Sequence, residues 1–164
     1  GNAAYFDMGE LGQVSADHWI IQYWKEDEKR WVTTDVDGCL TENVGFDLFD
    51  IPEDVFDFPA RAWLDIRGGK VDPMRFHNAK PERGAIVVLW SLFYDYHSLM
   101  NNEIIYIHGP AYTKFPEFGR LTDKELEKID NLARLMLDPD VYFEELMRIW
   151  ETERDFRLVR GGLL

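Results

Sequence analysis

Asp17-His18-Trp19-Ile20-Ile21-Gln22-Tyr23-Trp24-Lys25, then Glu26-Asp27-Glu28-Lys29, then Arg30-Trp31-Val32-Thr33-Thr34-Asp35 is the stretch on which the fold turns. Both flanks are rich in aromatic and β-branched residues, and a short charged segment separates them. That pattern predicts an antiparallel hairpin, with strands over His18 to Lys25 and Arg30 to Asp37. The loop length decides what the hairpin can do. A two-residue loop at Glu26-Asp27 puts His18 directly opposite Asp35, and a four-residue loop at Glu26 to Lys29 makes them diagonal neighbours on one face. A three-residue loop puts them on opposite faces. Two of these three registers bring imidazole and carboxylate within reach, because directly opposite Cβ atoms lie roughly 4.5–5.5 Å apart. Ile20, Gln22, Trp24, Trp31, Thr33 and Asp37 share that face. A carboxylate beside a histidine can accept Nδ1–H, fix the tautomer and leave the other ring nitrogen to face a nucleophile. The same pair can equally be a plain cross-strand contact.

Working outward, Ala3 to Met8 reads as a further strand and Gly9 to Ala16 as a turn. The acidic, phenylalanine-dotted segment from Gly38 to Pro59 reads as an ordered loop. Helix signals dominate beyond it. Phe56 to Ile66 forms one candidate, with Pro59 in its first turn and Gly68-Gly69 as its stop. Asp72-Pro73-Met74-Arg75-Phe76 has an Asp N-cap followed by Pro at N1. Ala85 to Met100 is long and apolar enough for a buried helix. Thr122-Asp123-Lys124-Glu125 is a capping box for a helix to about Leu137, with Leu126, Ile129, Leu132, Ala133 and Leu137 on one face. Asp138-Pro139-Asp140 breaks it. A last helix runs from about Val141 to Thr152, its apolar stripe being Phe143, Leu146, Met147 and Trp150. The architecture expected is α+β, a small antiparallel sheet (the N-terminal hairpin) followed by a helical half. Residues 1–164 make one domain or domain fragment, with 1–40 the sheet part and 41–164 the helical extension.

Composition agrees with a packed globular chain: 46% of residues are hydrophobic and 15% aromatic, too many for a disordered segment. A formal net charge of −13 repels phosphate backbones and anionic lipid, so neither nucleic acid nor membrane is an expected partner. There is no apolar run of ~18 residues to span a bilayer, and no export signal opens the chain. The single cysteine, Cys39, can form no internal disulfide and fits a reducing cytoplasm. No metal or organic cofactor is implied.

The stretch Asp17 to Trp24 followed by Arg30 to Asp35 resembles the transglutaminase-like superfamily of papain-like cysteine enzymes. There a histidine opens one strand, and a tryptophan, a β-branched run and an aspartate follow on the next. Ala62-Trp63, then Asp72-Pro73-Met74-Arg75-Phe76, then Asp95-Tyr96-His97-Ser98-Leu99-Met100-Asn101-Asn102-Glu103 resemble the helical extension of a bacterial subgroup. The likeness runs from about Ala3 to Trp150. It implies thiol-based acyl transfer or amide hydrolysis on a peptide or protein substrate, with His18 as base and Asp35 as its orienting carboxylate. In that family the nucleophilic cysteine precedes the histidine, at a helix N-terminus that favours thiolate. No cysteine precedes His18 here. The chain therefore reads as a C-terminal portion, inactive alone because a base without its nucleophile has nothing to activate. The opening Gly1-Asn2-Ala3-Ala4-Tyr5, which starts abruptly in a strand-like stretch, suggests the same.

Cys39, four residues past Asp35 and beside Gly38, lacks a helix N-terminus and reads as an incidental thiol. Gln22 reads as a hairpin-stabilising polar group. His77, His97 and His108 lack metal spacing and read as surface or capping histidines. Glu144 and Glu145 read as a solvated helix face. Asp95 and Glu103 are candidates to pair with Arg61 or Arg67. The rival to the enzyme reading is a binding or scaffold domain that keeps the fold without the thiol. In either case, exposed strand edges favour a homo-oligomer.

Overall fold

The computed structural model describes residues 2–7, 15–36, 46–53, 55–77, 83–102 and 121–157. The predicted hairpin is present, as β2 (Ser15–Lys25) and β3 (Arg30–Thr34), and Lys25 faces Arg30 across the four-residue turn Glu26 to Lys29. Lys29 takes the left-handed conformation (φ 52°) that closes the turn. Lys25–Glu28 and Lys29–Glu26 ion pairs staple it. Of the three loop lengths, this is the one that makes His18 and Asp35 diagonal neighbours. The shared face is confirmed rung by rung. Gln22 Nε2 donates to Thr33 Oγ1 at 3.2 Å, and Trp24 meets Trp31 edge-on, ring centroids 5.7 Å apart. Gln22 is thus the hairpin-stabilising group its position suggests.

β1 (Asn2–Asp7) pairs antiparallel with the first half of β2, from Ser15 to Ile20. The turn expected over residues 9–16 therefore gives way to strand at Ser15, and residues 8–14 lie outside the described set. Asp37 and Cys39 also lie outside it. The expected switch from strands to helices is not clean. After the first helix the chain returns to the sheet as β4 (Phe76–His77), parallel to Ser15 and Ala16. Two residues are too few to carry a period-2 signature, so the sequence hides this strand. The chain is α+β, an N-terminal sheet followed by a helical half.

Each helix is set by local chemistry. Pro59 occupies N1 of α1 (Pro59–Arg67), where its missing N–H costs nothing, and Gly68 caps the other end. The Asp72 carboxylate accepts the Met74 N–H and starts a 3₁₀ turn over Pro73–Arg75. α2 (Ala85–Leu99) is buried almost all round, which makes it the core helix. Its N-cap Gly84 has φ 89°, a conformation nearly closed to other residues. α3 (Asp123–Leu135) has the predicted box: the Thr122 hydroxyl accepts the Glu125 N–H, and the Glu125 carboxylate accepts the Thr122 N–H. α4 (Pro139–Thr152) begins two residues earlier than expected, because Asp138 acts as its N-cap rather than only as a breaker.

α1 packs on α2 and α3, α3 on α4, and α2 on the sheet. Val88, Leu89, Leu92, Phe93, Trp63, Ile129, Leu132 and Leu146 are fully enclosed, and each such side chain contributes roughly 1.5–3 kcal/mol of transfer free energy. The expected stripes hold in large part, with Ile129, Leu132 and Ala133 of α3 buried and Leu126 packed beside them. On α4, Leu146 is buried with Ile149 and Trp150 packed beside it, while Phe143 and Met147 are exposed. On α3 the chain leaves the helix at Met136, so Leu137 is exposed and Leu135 is buried. Glu144 is exposed as predicted.

Arg67 pairs not with Asp95 but with Asp130 on α3, at 3.0 Å, and the Trp63 indole N–H donates to the same carboxylate at 2.8 Å. Residue 103 lies outside the described set. His97 is no surface histidine. It is 1% exposed, with Nε2 3.1 Å from the Phe156 carbonyl, Nδ1 2.9 Å from the Asn102 amide and its ring edge-on to Trp150. Asn102 donating to Nδ1 leaves Nε2–H for the carbonyl, so the ring ties the end of α2 to the 3₁₀ turn Arg154–Phe156 as a neutral tautomer. Beside it, burial pushes the Tyr96 phenol well above its ordinary range, and its hydroxyl donates to the Leu146 carbonyl at 2.6 Å. No helix among the described residues is long and apolar enough to cross a membrane.

Candidate functional site

From His18 to Ile20, β2 alternates between two covered faces. Trp19 points toward α2, its ring 5.6 Å from that of Tyr94. The opposite face presents His18 and Ile20. Across the hairpin, Asp35 follows the last residue of β3 on the His18 face, so strand periodicity alone delivers both groups to one side. His18 Nε2 lies 3.1 Å from Asp35 Oδ2. The imidazole is 13% exposed and the Asp35 side chain is completely enclosed.

A buried carboxylate is tolerated only with a partner, and His18 supplies one. The nitrogen involved differs from the expectation. Nε2 faces the carboxylate, which leaves Nδ1 as the ring position for any other partner. The side chain enters from a neighbouring strand diagonally rather than head-on, and the far ring atom is the one that reaches.

The segment from Phe46 to Phe58 forms a strap on the free edge of β3. The Asp35 N–H donates to the Leu48 carbonyl at 2.9 Å, the Thr34 hydroxyl donates to the same oxygen at 3.1 Å, and the Ile51 N–H donates to the Thr33 carbonyl at 2.9 Å. These bonds place Ile51 and Phe56 over Ile20 as a small apolar cluster, with Phe46, Val55 and Phe58 packed against it. Phe56 stacks on His18, with ring centroids 6.1 Å apart and planes 15° from parallel. The sequence predicts a loop here, with a helix starting at Phe56. The helix instead starts at Pro59, because Phe56 is drawn onto Ile20 and Ile51 and stacks on His18. The spaced phenylalanines were the available signal.

Arg30 fastens the strap with a two-pronged pair to Asp50, at 2.8 and 2.6 Å, and also reaches Glu28 at 2.6 Å. Hydrogen bonding from Arg30 holds the Asp50 carboxyl below its ordinary value of 3.8. Lys25, then Arg30, does the same for Glu28 below 4.5. Groups lowered in the folded chain stabilise it above their ordinary values, and that contribution is lost as pH falls through the lowered ones. The clasp is solvent-accessible, so its effect is modest and screened by salt. Hydrogen-exchange protection at the Asp35 and Ile51 amides is expected to drop as pH falls below 3.8, and the drop should vanish in R30A. Protection that is flat across this range in the parent chain would refute the clasp.

The far end of the same face is aromatic. Trp24 and Trp31 are about half exposed, and the Trp31 indole donates to Asp140 at the start of α4 at 3.1 Å. His77 lies in β4, in register with Ala16 of β2, and residue 108 is outside the described set. Among the described residues, no three His, Cys, Asp or Glu side chains cluster in a way that could hold a metal ion. Comparison of this chain with protein-family models, with curated proteins and with solved structures finds no match.

Proposed function

We propose that this chain carries the base and orienting carboxylate of a transglutaminase-like thiol enzyme whose complete form transfers or hydrolyses acyl groups at amide bonds. The observation that supports it is the 3.1 Å approach of His18 Nε2 to an enclosed Asp35, across the two strands on which that family's motif falls. In the reaction, Asp35 holds Nε2–H, and Nδ1 takes the proton from a cysteine thiol. The thiolate adds to the amide carbonyl. As the tetrahedral adduct collapses, His18 returns the proton to the leaving amine and a thioester remains. Water then releases the acid, or a second amine takes the acyl group.

The thiol is not near the pair among the described residues, and the family pattern puts it upstream of His18. The substrate class is a peptide or protein amide, and the lone cysteine fits a reducing cytoplasm. Self-association through strand edges is part of this reading.

A second reading is favoured by the enclosure of Asp35 and the apolar cluster over His18. In that reading the pair is a cross-strand clasp in a binding or scaffold domain.

One comparison separates the two. Amide turnover is expected to be absent for these 164 residues and present in a longer chain that includes an upstream cysteine, where iodoacetamide should abolish it. Turnover by the short chain, or an inert longer chain that contains a cysteine, would overturn the enzyme reading. Size-exclusion chromatography of the same samples reads self-association directly, and a monomer would remove that element.

A further inference from the structure

Among the described residues, two restraints act on the His18 ring, and they are unequal. Nε2 and Asp35 Oδ2 lie at hydrogen-bond distance, 3.1 Å, but off the axis of a good bond. Hydrogen bonds weaken steeply with misalignment, and the terminal torsion of a histidine is intrinsically broad. The carboxylate by itself therefore leaves the ring plane loosely set. The second restraint is Phe56, nearly parallel to the imidazole at 15° and 6.1 Å.

Phe56 is itself fixed. It is 5% exposed and shares a cluster with Ile20 and Ile51. The strap that carries it is bonded to the backbone of Thr33 and Asp35. One segment thus fixes both members of the pair, gripping the backbone of Asp35 and laying a flat ring along His18.

We propose that Phe56 is a positioning residue, whose ring keeps the imidazole turned with Nε2 toward Asp35, so that the carboxylate selects the Nε2–H tautomer and leaves Nδ1 as the basic nitrogen. The proposal rests on the thiol-enzyme reading for its purpose, but the ring restraint can be measured without it. A bulky aliphatic side chain would fill the space without supplying a flat surface, so F56L separates stacking from packing.

The test is imidazole ¹H–¹⁵N spectroscopy of the full 164-residue chain at alkaline pH. The parent should show well-separated His18 nitrogens, Nε2 of the protonated type and Nδ1 of the unprotonated type. In F56L the two resonances should converge as tautomers mix, and F56Y should restore the separation. Should F56A fail to fold, F56L and F56Y carry the comparison. Separated resonances in F56L would overturn the proposal, as would mixed ones in the parent.

Activity adds an independent arm. In a longer chain that turns over amides, F56L is expected to lower kcat roughly tenfold with KM little changed, because misplacing a catalytic group costs rate rather than binding. An unchanged kcat there would also overturn the proposal. An inert longer chain would refute the thiol chemistry and leave the spectroscopic result standing.

Discussion

Replacing Asp35 by asparagine is expected to lower kcat by about 10³–10⁴ in a longer chain that bears the thiol, with KM little affected. The change is nearly isosteric, so the fold should survive and the loss should be chemical. The carboxylate lies 3.1 Å from Nε2 and favours a proton on that nitrogen. An amide in its place can instead donate through its NH₂ to Nε2, which moves the ring proton to Nδ1, the nitrogen needed as a base. Stabilisation of the imidazolium formed during attack is lost as well. The measurement is steady-state kinetics on D35N beside H18A, with circular dichroism to confirm folding. The two variants should fall by similar factors, since they disable one unit. A D35N enzyme within tenfold of the parent would show that Asp35 does not orient the base.

Trp63→Ala is expected to carry the largest stability loss, about 3–5 kcal/mol. Trp63 is wholly enclosed where α1 meets α2 and α3, and its indole N–H donates to Asp130. Truncation opens a cavity and removes that bond. Against a total stability of roughly 5–15 kcal/mol for a domain, the loss is a large share, and Tm should fall on the order of 10 °C. Trp63→Phe separates the two contributions. It keeps most of the volume and loses the N–H, so its cost should be nearer 1–2 kcal/mol, since Asp130 still has Arg67. Urea denaturation of both variants checks the order. A W63A loss below about 1 kcal/mol would mean that the site collapses around the gap or that the core lies elsewhere.

The sequence is legible where one residue type settles a local choice. Thr122 with Glu125, Pro59 with Gly68, and Asp72 before Pro73 each marked a helix end or turn that the fold contains. The hairpin was legible too, and its alternation limited His18 and Asp35 to a few registers before any coordinates. Choosing among those registers needed the turn conformation at Lys29, which side-chain chemistry does not dictate. Legibility fails where a partner lies far along the chain. β4 is defined only by Ser15 and Ala16, some sixty residues earlier. The choice of Asp130 by Arg67 and the burial of His97 depend on how helices meet. Phe143 and Met147 fit the α4 stripe by periodicity alone, yet Tyr142 departs from helical geometry (φ −106°, ψ 17°) inside the first turns. The contact of Phe56 with His18 is not legible because ring stacking between a loop and a strand has no sequence period.

The hydrogen bond from Trp31 to Asp140 joins residues 109 positions apart. Closing so long a span is entropically costly before other contacts have shortened it. The hairpin tip and the start of α4 should therefore meet late, after α1 has packed against α2 and α3. Refolding is expected to make the local hairpin and the helix contacts first and to tie the hairpin tip to α4 last.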